Sequence, residues 1–107
     1  MNVADILSPS TDFQILQTTS RAQTATMRLR TGEASGERPQ AHRESDQIVL
    51  LLKGDLHVEL GDDEGTIHAG NSLLIPAGTP HRLVNRGKEE ALAFTTYSPP
   101  AYPGDDE

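Results

Sequence analysis

Glycine and proline punctuate this chain so densely that few stretches are long enough for a helix of about ten residues. Gly32, Gly36, Pro39, Gly54, Gly61, Gly65, Gly70, Pro76, Gly78, Pro80 and Gly87 leave runs of strand length between them. Phe13 to Thr19 and Thr24 to Thr31 alternate, with Met27 and Leu29 on one face of the second run. Ile48 to Leu52 is an unbroken apolar run, as expected of a strand covered on both sides. Leu56 to Leu60 alternates strictly, and Gly61 to Gly65 reads as its hairpin turn. Pairing Gly65 with Leu60 would put Ile67 on the face of Val58 and Leu56, with His57 opposite His68. Leu73 to Pro76, Arg82 to Asn85 and Ala91 to Tyr97 supply further strands, while the stretch before Pro9 suits a helical turn. Ser98 to Pro103 cannot continue a ladder, because proline lacks the backbone donor. Short, evenly spaced strands with glycine turns predict an all-β sandwich or barrel.

Composition sets the outer limits. The chain has 107 residues, which suits one domain with one core. It has no cysteine, so disulfide scaffolds and thiolate sites are excluded. With 9 Lys+Arg against 16 Asp+Glu and only four aromatics (Phe13, Phe94, Tyr97 and Tyr102), nucleic acid is not an expected partner. Six of the 16 acids lie in Asp62-Asp63-Glu64 and Asp105-Asp106-Glu107, so the net charge of −7 is mostly a solvated turn and tail. The longest apolar run is too short to span a bilayer, and no basic region leads an apolar stretch at the N-terminus. A soluble, cytoplasmic protein that does not associate with membranes is expected.

The most informative segment runs from Gly70 to Asn85. Gly70 permits a tight bend before a buried strand, Pro76 ends that strand, and Gly78 supplies a backbone conformation bulkier residues resist. Pro80 then fixes the approach to His81, which opens the next strand. This segment resembles the second motif of the cupin superfamily, G-x5-P-x-G-x2-H-x3-N, with Gly70, Pro76, Gly78, His81 and Asn85 at every fixed position. Gly36, His42 and Gly54 match the start and end of the first motif, G-x5-H-x-H-x3–4-E-x6-G. Glu44 stands at that motif's second histidine position and Gln47, counted back from Gly54, at its glutamate position, with the spacing between the two one residue shorter than the motif's.

The resemblance implies a single-domain cupin β-barrel, a double-stranded β-helix or jelly roll, over residues 1–107. Its core would span about 13–98, flanked by an N-terminal segment 1–12 and a proline-rich acidic tail 99–107. By position, His42, Glu44, Gln47 and His81 would bind a divalent metal such as Mn, Fe, Ni or Zn inside the barrel. Two histidines and a carboxylate suit such ions and leave positions open for substrate or dioxygen. The implied function is a metal-dependent oxygenase or isomerase of a small organic molecule, with no separate general base identifiable. The alternative is a metal-free, non-catalytic module that binds a sugar or acid. Small cupins commonly pair as homodimers, and Phe13 to Thr19 is the candidate edge or swapped strand.

The remaining polar residues read as ordinary surface. His57 and His68, with Glu59 nearby, fit an outward-facing hairpin better than a metal clip. Arg43, Arg28 and Arg30 read as solvent-facing, and Ser45-Asp46 as a local turn. Met27, Phe94 and Leu83 are candidates for the cavity wall or for ordinary core. Tyr97 and Tyr102 are expected to pack the tail onto the barrel.

Overall fold

Among the described residues eight strands form, seven of them between the glycines and prolines and one running through Gly65. The computed structural model describes residues 1–103, so the acidic end Asp105-Asp106-Glu107 lies outside the described residues. The strands are β1 (Phe13–Thr18), β2 (Gln23–Leu29), β3 (Asp46–Lys53), β4 (Asp55–Leu60), β5 (Asp63–His68), β6 (Ser72–Ile75), β7 (His81–Val84) and β8 (Ala91–Ser98). Among the described residues there is no helix, and the stretch before Pro9 is irregular. No helix is therefore long and apolar enough to cross a membrane.

The strands make two antiparallel sheets, one in the order β1-β2-β8-β3-β6 and one in the order β5-β4-β7. This is a jelly-roll sandwich, and strand pairing does not close it into a continuous barrel. Leu29, Val49, Leu51, Leu56, Val58, Ile75, Leu83, Ala91 and Ala93 fill the space between the sheets. β1 is an edge strand, as expected of Phe13 to Thr19.

Two local expectations are corrected. The β4–β5 turn is tighter than Gly61 to Gly65. Leu60 pairs with Asp63 and Val58 with Gly65, leaving two residues in the turn. Gly61 takes φ 58°, a conformation suited to two-residue hairpin turns. His57 therefore sits opposite Thr66 and His68 opposite Asp55, while Ile67 does pair with Leu56. The second correction concerns β3, which is covered on one side only. Gln47, Val49 and Leu51 point inward, but Ile48 is 47% exposed and Leu74, its partner on β6, is 58% exposed. The second sheet packs against one face, so the unbroken apolar run places every other residue on the outer face.

One connection prepares the site. Between β2 and β3 the chain runs along β7, bridging Ala34 to Val84 and Gln40 to His81. Gln40 and His81 exchange both backbone hydrogen bonds, at 3.0 and 2.8 Å. The Gly78 N–H donates to the His42 carbonyl at 2.8 Å, and Gly78 takes φ 81°. The Gly36–His42 segment is thus bound directly to the Gly78–His81 segment.

Candidate functional site

A cavity of about 540 Å³ opens where these segments meet. His42, Gln47 and His81 all line it, together with Tyr97, Tyr102 and Phe13. Leu29, Leu83 and Met27 form apolar wall, whereas Phe94 is not part of the lining.

His81 is 8% exposed at the start of β7. Its Nδ1 lies 3.0 Å from the Thr79 carbonyl, which only accepts, so Nδ1 carries the proton and Nε2 is left as an acceptor. The His42 ring lies with its centroid 5.4 Å from that of His81 and 5.1 Å from that of Tyr97. Burial, and secondarily the neighbouring His81, hold the His42 pKa below the usual histidine value, which favours the neutral imidazole.

Gln47 is 4% exposed on β3, and its orientation follows from its partners. Thr95 donates its hydroxyl hydrogen to the Ile48 carbonyl at 3.0 Å, so Thr95 Oγ1 must accept from Gln47. Gln47 Nε2 donates to it at 3.0 Å and to the Tyr97 hydroxyl at 3.4 Å. Gln47 Oε1 is left buried without a partner. Burial pushes the Tyr97 phenol far above its ordinary pKa, with Tyr102 adding to the rise, so Tyr97 stays a neutral hydroxyl.

Glu44 does not join this group. It is exposed in the bend before β3 and absent from the cavity lining. Burial alternates along β3, with Gln47, Val49 and Leu51 inward, whereas Glu44 precedes the strand. Among the described residues no three or more His, Cys, Asp or Glu side chains are grouped to hold a metal. The group present is two imidazoles and an amide oxygen. Neutral nitrogen donors of this kind fit Zn, Ni or Fe better than harder cations, which favour carboxylates.

The other singled-out residues sort clearly. Asn85 is fully buried and structural, donating to the Leu29 and Glu89 carbonyls at 2.8 Å and accepting from the Gly87 N–H. His57 pairs with Glu64 at 2.9 Å and His68 with Asp55 at 2.7 Å, both away from the cavity. Asp46 accepts from the Ala77 N–H rather than from its own turn. Arg28 lines the cavity rim, contrary to a purely solvent-facing reading, and donates twice to Asp12 at 3.2 and 3.0 Å. Arg30 closes on the same carboxylate, and the two guanidinium groups hold Asp12 below the usual carboxylate range.

Sequence reasoning missed Tyr97, Tyr102 and Phe13 as cavity residues. The signal for Tyr97 was its phase, since Ala91, Ala93, Thr95 and Tyr97 all point inward along β8. No local pattern marks Tyr102.

The Cupin domain family model matches residues 25–97, which include all but the outermost parts of this site. The uncharacterized protein YdbB of Bacillus subtilis is 43% identical over 42 residues, 38% of this chain and 37% of that protein. The chain spans less than half the length of the curated relatives it matches. Among solved structures, BH2720 of Bacillus halodurans superposes with a TM-score of 0.83 at 26% identity, over 89% of this chain and 75% of that one. TT1209 of Thermus thermophilus superposes with a TM-score of 0.81 at 24% identity, over 92% and 98% of the two chains. The second likeness is one of fold.

Proposed function

Because the chain belongs to the cupin family, we propose that its cavity binds one divalent transition metal on His42, Gln47 and His81, with a small organic molecule beside it. The carrying observation is Gln47, a residue of the cavity lining that two histidines share, whose buried Oε1 has no hydrogen-bond partner. Leaving such a group unsatisfied costs about 1–3 kcal/mol, which a cation or a donor-bearing ligand removes. A metal held there would supply Lewis-acid polarisation of a carbonyl, for isomerisation, or of dioxygen, for oxygenation.

The chain's own residues have definite tasks in this reading. The Thr79 carbonyl fixes the His81 tautomer that leaves Nε2 free, an arrangement common for histidine ligands. Desolvation keeps His42 neutral and able to donate its lone pair. Thr95 holds the Gln47 amide nitrogen and so leaves the amide oxygen without a protein donor. Tyr97, as a neutral phenol, is a proton-bearing hydroxyl for an oxygen atom of the ligand. Leu29, Leu83 and Met27 supply the apolar part of the remaining wall. We take residues 1–107 as one domain working as a homodimer.

Metal analysis of protein purified without a polyhistidine tag tests this reading. About one transition-metal ion per chain, or a melting temperature raised when Zn, Ni or Fe is returned to chelated protein, is expected. Absence of both overturns it. A metal-free module binding a sugar or acid is favoured by one observation, the outward position of Glu44, which leaves the candidate ligands uncharged. Its signature is a ligand-dependent rise in melting temperature that survives chelator.

A further inference from the structure

One side chain outside the candidate ligand set holds the segment that follows β8. Gln23, the first residue of β2, is 1% exposed. Its Oε1 accepts from the backbone N–H groups of Ala101 and Tyr102, both at 3.1 Å. Its Nε2 donates to the Tyr102 carbonyl at 3.0 Å and to Thr18 Oγ1 at 3.1 Å. All four hydrogen-bonding positions of this amide are therefore occupied, three of them by the backbone of one dipeptide. Residues 99–103 have no strand partner, so this amide does for them what a neighbouring strand does elsewhere.

The consequence lies in where Tyr102 is held. Its ring centroid is 5.2 Å from that of Phe13, 5.5 Å from that of His42 and 5.4 Å from that of Tyr97. Tyr102 is 37% exposed whereas Tyr97 beside it is 2% exposed, so Tyr102 is the outer ring of the cluster around His42. Segments with few backbone bonds open locally far more readily than sheet strands.

We propose that Tyr102 is the residue that governs entry to His42, and that Gln23 is the positioning residue that keeps Tyr102 in place. This rests on the reading of the cavity as a binding site, and it identifies which part of the wall must move for a ligand to arrive. Gln23 is not itself part of the cavity lining, and its amide reaches the cavity through the backbone of Ala101 and Tyr102.

Diethyl pyrocarbonate, which modifies accessible neutral imidazoles, tests the proposal in metal-free protein with peptide mass mapping of all four histidines. Exposed His68 is the reference within each sample, and His57, half-buried on β4 outside the cavity, reports any unfolding. In the wild type His42 is expected to react at least about tenfold more slowly than His68. Tyr102→Ala and Gln23→Ala should each bring His42 close to the His68 rate while His57 is unchanged, and Tyr102→Phe should leave it slow. Should Gln23→Ala also raise His57, that variant is unfolding and Tyr102→Ala decides alone. A wild-type His42 as reactive as His68, or a His42 rate unmoved by Tyr102→Ala, overturns the proposal. No metal enters this assay, so its failure is distinct from a failure to bind metal.

Discussion

His42 and His81 lie ring against ring in the cavity lining, with centroids 5.4 Å apart and ring planes inclined at 41°. The backbone maintains this relationship, since the His42 carbonyl is bound by Gly78 and His81 pairs with Gln40, two residues before His42. The loop that carries one histidine and the turn that precedes the other thus move as a unit.

The depressed pKa of His42 has a consequence for stability. Between its lowered folded value and the ordinary unfolded value near 6.5, the unfolded chain binds the proton and the folded chain does not. Stability contributed by His42 is therefore full above the unfolded value and falls as pH drops through this window. Urea midpoints at pH 7.5 and 5.5 should show a larger acid loss for wild type than for His42→Gln. Equal losses would contradict the assignment.

Tyr97 should behave in the opposite pH range. Its phenol resists ionisation because it is buried, so alkaline titration followed by ultraviolet absorbance should show one of the two tyrosines ionising only when the chain unfolds. Tyr97→Phe should remove that late component. Its persistence in the variant would place the buried phenol elsewhere.

Much of the site could be read from the chain because it is written in local chemistry. Pro76, Gly78 and Pro80 restrict the backbone around His81, and short-range restriction is visible in sequence. Gln47 as a lining residue followed from motif position. Glu44 did not, because it lies in the bend before β3, where no strand alternation sets its direction, and the phase of β3 itself is masked by its apolar run from Ile48 to Leu52. That same run hid the exposed side of the strand, since an apolar residue carries no mark of which neighbour covers it. Tyr102 was illegible for a different reason: its place depends on Gln23, 79 residues away in sequence, a contact no local pattern encodes.

Two glycines separate steric from conformational cost. Gly54 has φ +85°, and a Cβ there would lie 2.9 Å from the Glu90 carbonyl oxygen and 3.0 Å from the Ala91 Cα. Gly70 has φ +96° with nothing within 4 Å of an added Cβ. Gly70→Ala should destabilise through backbone strain alone, by about 1 kcal/mol or more, and Gly54→Ala by clearly more. Chemical denaturation of both variants checks this, and equal losses would remove the packing role assigned to Gly54.

The paired exposure of Ile48 and Leu74 on the outer face of the five-stranded sheet bears on assembly. In the proposed homodimer, a second copy would cover this face and take these two apolar side chains out of water. Light scattering should give twice the 11.6 kDa chain mass, and Ile48→Lys should shift it to the monomer with the fold retained. A monomeric wild type would contradict the homodimer.

The central claim, that the acceptors of His42, Gln47 and His81 converge on one cation, is tested most directly by calorimetric titration of chelator-stripped protein with Zn²⁺. The account predicts a single site per chain that weakens by about tenfold or more in Gln47→Leu and is lost in His81→Ala. It also predicts that Glu44→Gln, whose side chain faces away from the cavity, leaves the site unchanged. No saturable binding by the wild type, or binding that survives His81→Ala, would contradict it.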